Sequence, residues 1–288
     1  MRVGSPASAA ERAGVVIRPL TSLPDLRACV ALQDAIWGPA FSEAVSVSML
    51  KVATEVGGLA IGAFTPDGAL TGFVFGLTGV QDGRIVHWSH LLGVLGKARD
   101  LGVGRLLKEH QCLELARRGI DEMRWTFDPL IAKNAHLNLN VLGAQVVRYA
   151  PDMYGTTLSP LHHGLATDRL VVACSTSRSP NGTTAAGTSG AAMAPMLTLE
   201  PRADDSLVDM KDKATGPIRL EIPSDFHQLM ERSPERAAEW HASVRKHFLW
   251  SLRAGCRVVG LHRDAVTSRV FYLLTAASSA DGPLEAVT

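Results

Sequence analysis

The chain has 288 residues, 46% of them hydrophobic and 20% charged, the balance of a folded protein with a buried core. Its 29 Lys and Arg against 28 Asp and Glu leave a formal net charge of +1. That near-neutrality excludes a general electrostatic pull toward nucleic acid or an anionic membrane, so any affinity for an anion has to come from a few placed groups.

No apolar run approaches the roughly 20 residues that span a bilayer. Residues 1–13 are small and polar, without the apolar core of a signal peptide, and are expected to form a disordered tail on a cytoplasmic protein. The four cysteines, Cys29, Cys112, Cys174 and Cys256, form no CxxC pair of the kind that binds zinc. Cys29 and Cys112 fall in apolar helical stretches and read as small core residues.

In chain order, residues 15–20 are a short β-branched run and residues 23–37 read as a helix. Residues 41–56 read as a second helix, stopped by Gly57-Gly58. Residues 59–64 and 70–77 flank Thr65-Pro66-Asp67-Gly68 and predict a hairpin, followed by a strand over 85–95. A helix to Arg118 carries the stripe Val103, Leu106, Leu107, His110 and Leu113, and Gly119 closes it. A strand over 123–127 breaks at Asp128-Pro129; a helix over 133–142 and strands over 145–149 and 169–174 follow.

A composition break comes next. Residues 175–195 are rich in Ser, Thr, Gly and Ala with Met193 as the one large apolar residue, too little burial to offset ordering entropy. With the polar stretch after it, this predicts a linker over 175–215 between a domain at 14–174 and a small segment at 216–288. The segment reads as a strand over 218–222, a helix entered at Ser233-Pro234 with Ser233 as cap, and a strand pair over 257–261 and 269–274. So small a core is marginal alone and is expected to pack on the first domain. Trp240, Val244, Phe248 and Leu252 form the apolar stripe of its helix.

The chemistry concentrates in Arg99-Asp100-Leu101-Gly102-Val103-Gly104, between the strand and the helix of the first domain. A helix N-terminus offers free backbone N–H groups and the positive end of a dipole, which suits an anionic diphosphate. Close approach needs residues without Cβ, hence Gly102 and Gly104. Arg99 adds charge or orders the turn. A Rossmann site would need a third glycine where Leu107 stands and a first-strand position, and a Walker loop would need Gly-Lys-Ser/Thr. A tight strand-to-helix connection with no ligand is the alternative.

Leu92-Gly93-Val94 followed by Arg99-x-x-Gly102-x-Gly104 resembles the acyl-CoA-binding motif of the GNAT acyltransferase superfamily. The resemblance covers the element order over residues 15–174 and extends to Asn134-Ala135 and Leu142-Gly143-Ala144. Residues 124–130 and Glu221-Ile222-Pro223 also resemble a bacterial subgroup of predicted GNAT acetyltransferases. It implies an α/β fold with a mixed central sheet flanked by helices, here with a C-terminal α+β extension. It further implies acetyl-CoA or CoA as cofactor, and an N-acyltransferase acting on a small amine, with a second copy of the chain as a candidate partner. Leu92, Gly93 and Val94 would meet the pantetheine arm, and the backbone from Asp100, Leu101, Gly102, Val103 and Gly104 to Arg105 the diphosphate. Asn134 and Asn138 would touch the cofactor from the next helix, and the strands ending near Val94 and Phe127 would splay apart.

Acyl transfer to an amine needs a base, oxyanion donors and an acid for the thiolate. The family's tyrosine acid would fall at Leu139, so this chain departs from the pattern, and an acyl-CoA-binding protein without transfer, or with other acyl-thioester chemistry, is the alternative function. His90, next to Ser89 on the strand bordering the acyl group, is the candidate base, or a histidine bonded within the sheet; His87 reads as structural. Asp128 is a base, a binder of a cationic substrate or a turn cap. Tyr154 and Tyr149 are candidate acids or packing residues. Trp37 and Trp125 read as core or pocket walls. His162-His163 point opposite ways on an extended chain and have no third ligand, which argues against a metal.

Overall fold

The computed structural model describes residues 14–39, 41–155, 164–177, 197–199 and 218–277. The expected tail, most of the expected linker and His162-His163 lie outside the described residues. The chain divides into two compact units, one of Met1–Trp125 with Cys174–Asn181 and one of Thr126–Ala173 with Gly182–Thr288.

The first unit runs β1 (Val16–Pro19), α1 (Leu23–Trp37), α2 (Val47–Glu55), β2 (Leu59–Phe64), β3 (Leu70–Gln81), β4 (Arg84–Val94), α3 (Val103–Arg117) and the start of β5 (Glu122–Phe127). β1 to β4 pair antiparallel in sequence order, and β5 joins β4 in parallel, so the sheet is mixed as expected. β6 (Gln145–Ala150) and most of β7 (Arg169–Ser175) belong to the second unit. On one face Phe73 and Phe75 of β3 form a core with Leu26, Cys29 and Leu32 of α1 and Leu50 and Ala53 of α2. On the other face α3 packs so closely that a Cβ at Gly72 would lie 3.2 Å from Val103 and 3.3 Å from Leu107.

Two sequence expectations shift here. The second helix starts at Val47, not at residue 41. Gln33, fully buried on α1, clamps the Val45 backbone, accepting from its N–H at 2.7 Å and donating to its carbonyl at 3.0 Å. Residues 41–45 are thereby kept out of the helix, and Ser46 caps it by accepting from Met49 N–H at 3.3 Å. On α3, Leu113 is 38% exposed, whereas Lys108, Gln111, Cys112 and Leu115 are buried. The helix presents a partly polar face because the sheet supplies polar partners to it.

In the second unit α4 (Ala132–Ala135) passes directly into a π-helical stretch, His136–Val141, where a regular helix was expected. Leu142 N–H accordingly reaches back five residues to Leu137 O, and Asn140 clamps the Leu261 backbone, donating at 2.7 Å and accepting at 3.0 Å. β6 and β7 pair antiparallel. A separate sheet has the order β10 (Cys256–Arg263), β11 (Val270–Ala276), β9 (Ile218–Ile222), β8 (Leu197–Leu199), the last two parallel. It is the extra α+β element expected at the C-terminus, completed by α5 (Phe226–Arg232) and α6 (Pro234–Arg253). Pro234 opens α6 as expected, but the Ser233 side chain makes no cap bond. α5, not anticipated from the sequence, ends there, and Ser233 N–H closes it on Leu229 O at 2.8 Å. Phe248 is fully buried between Tyr149, stacked at 5.2 Å, and Tyr272, edge-on at 5.0 Å.

Candidate functional site: a helix mouth and a strand fork

The turn between β4 and α3 is ordered by Arg99, whose Nε donates to Val94 O at 3.3 Å. Asp100 (φ 65°) and Gly102 (φ 79°) both take left-handed backbone, which glycine adopts freely and Asp tolerates. Gly102 is the cap residue of α3, and no side chain caps that helix; Ser22, Ser46 and Asp225 cap α1, α2 and α5. The first-turn N–H groups of Val103, Gly104 and Arg105 have no side-chain cap acceptor among the described residues, at the positive end of a 15-residue helix. A Cβ at Gly104 would meet only Leu92 at 3.7 Å and Val94 at 3.8 Å, ordinary contacts. Packing therefore does not require glycine at 104; its absent side chain leaves room in front of the mouth. Gly93 differs: a Cβ there would lie 2.8 Å from Ile36 of α1 and from Phe73 of β3, so packing by itself requires glycine there.

β4 carries a bulge. Phe75 pairs with Leu91 and Gly76 with Ser89, leaving His90 as the extra residue. The exposed His90 ring stands edge-on to Phe75 at 6.3 Å, on the α1–α2 face of the sheet. Desolvation lowers its pKa below the ordinary imidazole value, opposed by the charge of Glu43. Glu43, not singled out from the sequence, has a buried Oε1 with no hydrogen-bond partner among the described residues.

The β4–β5 pairing covers His87 with Met123 and Trp88 with Arg124 and goes no further, although β4 continues to Val94. Past this fork the first residues are Ser89 of β4 and Trp125 of β5. Behind the fork lies a buried polar chain. Lys108 Nζ donates to Ser89 Oγ at 2.7 Å, Ser89 donates to Gln111 Oε1 at 2.7 Å, and Gln111 Nε2 lies 3.1 Å from His87 Nε2. His87 Nδ1 is 2.9 Å from Thr78 Oγ1, whose hydrogen goes to Gly57 O at 2.7 Å. Thr78 must then accept, which places the His87 proton on Nδ1 and lets Nε2 accept from Gln111. His87 is neutral: desolvation, with Lys108 and Arg118 nearby, lowers its pKa to about 4. It is structural, as expected, and Gly76 makes room for it, since a Cβ there would sit 2.2 Å from Nε2.

In the second unit Asp128 and Tyr154 come together around Arg169. Asp128 Oδ1 accepts from Leu130 N–H at 2.8 Å, which is the turn-capping role, while Oδ2 lies 3.9 Å from Arg169. Desolvation pushes the Asp128 carboxyl up, with Arg169 opposing. Tyr154 is 40% exposed, its hydroxyl 3.2 Å from Thr126 Oγ1 and its ring 5.4 Å from the Arg169 guanidinium. Tyr149 is fully buried and donates to Asp168 at 2.5 Å, the packing role; desolvation and Asp168 push its phenol up. Asn134 is exposed on α4 and Asn138 is buried in the π-helical stretch. Among the described residues no group of three His, Cys, Asp or Glu could hold a metal, and no helix is long and apolar enough to cross a membrane.

No protein-family model and no curated protein matches the chain. Solved structures resemble it over somewhat more than half its length. The ribosomal-protein-S18-alanine N-acetyltransferase of Escherichia coli is 20% identical at TM-score 0.45, covering 59% of this chain and 98% of that one. A GNAT-family acetyltransferase of Streptococcus pneumoniae is 15% identical at TM-score 0.46, covering 56% and 99%. A chain of the NatC complex bound to Gag peptide and CoA is 17% identical at TM-score 0.44, covering 56% and 98%.

Proposed function

We propose that the protein is a GNAT-type N-acyltransferase that takes acetyl-CoA as donor and a small amine as acceptor. One observation carries the reading: the uncapped mouth of α3 closes the same strand whose edge runs unpaired with β5 back to the fork. The mouth offers main-chain donors to a diphosphate. The edge offers backbone donors and acceptors to the amides of a pantetheine arm. From Val94 to Ser89 the strand rises about 17 Å, comparable to an extended pantetheine arm, so the thioester of a cofactor anchored at the mouth reaches the fork and the bulge. His90 is then the base. Asp128 and Tyr154 are the proposed functional groups of the second unit, and Asn134 and Asn138 further cofactor contacts. Residues 14–174 form the catalytic domain in this reading and 216–288 its extension.

The test is thermal unfolding with acetyl-CoA, followed by detection of free CoA across a panel of amines. At 100 times its Kd, acetyl-CoA should stabilise the fold by ~2.7 kcal/mol. No shift at millimolar acetyl-CoA removes the reading. Leu139, buried where the resemblance implies a tyrosine, favours a second reading, acyl-CoA binding without transfer. A clear shift with no CoA release across the panel decides for it.

A further inference from the structure

The fork holds a cation that the reading above leaves unused. Lys108 of α3 is 4% exposed. Its Nζ donates to Ser89 at 2.7 Å and lies 4.1 Å from the centre of the Trp125 ring. Ser89 and Trp125 are the residues immediately past the last β4–β5 pair, so the ammonium lies across the point where the strands part. An ammonium has three hydrogens to donate, and Ser89 is its one hydrogen-bond acceptor among the described residues. Among the described residues no carboxylate pairs with it, Glu109 being bound to Arg105. The chain through Gln111 and His87 to Thr78 and Gly57 runs donor to acceptor away from Lys108, so it fixes Nζ in place and takes no part in supplying its proton.

Position adds to this. Ser89 and Lys108 lie on the α3 face of the sheet, and His90 on the α1–α2 face. A thioester in the gap would have an imidazole on one side and an ammonium on the other. Desolvation lowers the Lys108 pKa to about 7, with Cys174 and Cys112 opposing, so the proton is loosely held near neutral pH.

We propose that Lys108 is the proton donor to the thiolate that leaves when an acyl thioester in the fork is attacked, a role that rests on the acyl-CoA reading above. The nitrogen lone pair of the acceptor forms the C–N bond. The C–S bond breaks with its electron pair going to sulfur, and the Lys108 proton passes to sulfur to give the CoA thiol. The acceptor's proton goes to His90. Both side chains return to their starting states by exchange with solvent after product leaves.

The experiment compares the full chain with Lys108→Met and Lys108→Arg. Lys108→Met should keep or raise the melting temperature, because it removes a desolvated charge, and should still bind CoA. Its kcat should fall on the order of 10²- to 10⁴-fold. Lys108→Arg keeps the charge but holds its proton too tightly, so it should not restore kcat. The kcat of the wild type should decline above the pKa of Lys108, and that limb should vanish in Lys108→Met. The groups facing Nζ are Ser89 and His87 of β4, Gln111 and Cys112 of α3, Trp125 of β5 and Cys174 of β7. His87 is neutral throughout this range and the Cys112 thiol is pushed up, so the limb should persist in Cys174→Ser. A readout free of turnover is the ultraviolet titration of bound CoA: its thiol should ionise at lower pH on the wild type than on Lys108→Met. Undiminished kcat in Lys108→Met, full activity in Lys108→Arg, or identical thiol titrations overturn the proposal while leaving CoA binding intact. Absence of any thermal shift with CoA in the wild type overturns it together with the acyl-CoA reading.

Discussion

Gly104→Trp should lose CoA affinity by on the order of 10²- to 10⁴-fold while the protein stays folded. The first-turn N–H groups of α3 would each give a charged phosphate a hydrogen bond worth about 1.5–3 kcal/mol, and an indole at 104 fills the space a diphosphate needs to reach two of them. Stability should change little, since the position lies in the first turn, has no left-handed backbone and makes only ordinary contacts. Gly104→Ala is the control, because its Cβ would meet Leu92 and Val94 no closer than 3.7 Å. Calorimetric titration with CoA, beside a thermal melt of each variant, measures both quantities. Wild-type affinity in Gly104→Trp would place the diphosphate elsewhere.

Asp168→Ala should cost about 3–5 kcal/mol of folding stability. Asp168 is 3% exposed and accepts from Tyr149 at 2.5 Å, from Arg245 Nε at 2.8 Å and from Asp152 N–H at 2.9 Å, with a second bond from Arg245 Nη2. Removing the carboxylate strands a guanidinium and a buried phenol. Burial alone would raise the Asp168 pKa, but Arg245 and Tyr149 outweigh it and hold it below the usual carboxylate range. A depressed folded-state pKa means the contribution is fully present above the unfolded value of about 3.9 and is lost as pH falls through the folded value. Denaturant unfolding at neutral pH should show the full loss in Asp168→Ala. The gap between wild type and Asp168→Asn should narrow as pH drops below about 4. A gap that does not depend on pH would mean the carboxylate charge is not what the site uses.

Most elements were legible because their signals are local. The hairpin turn at Thr65-Pro66-Asp67-Gly68, the closing glycine Gly119 and the apolar periodicity of α1 each need a few neighbouring residues to be read. The helix mouth was legible for the same reason, since Gly102 and Gly104 stand in the turn that opens α3. What escaped was set by distant partners. Gln33 holds residues 41–45 out of a helix across 12 positions of sequence. Lys108 and Gln111 are buried because His87 and Ser89, some 19 to 24 residues away, bond to them. A faint signal existed: Gln111 continues the fourfold spacing of Val103 and Leu107 into the sheet face. The bulge at His90 and the end of the β4–β5 pairing depend on register, which the amino-acid pattern of one strand does not specify.

A crystal structure with CoA reports on the helix mouth itself. Diphosphate oxygens should lie within about 3.2 Å of main-chain nitrogens in the Gly102 to Arg105 turn, with the pantetheine arm along β4 toward Ser89. CoA bound at another place, or an empty mouth at saturating CoA, would contradict it.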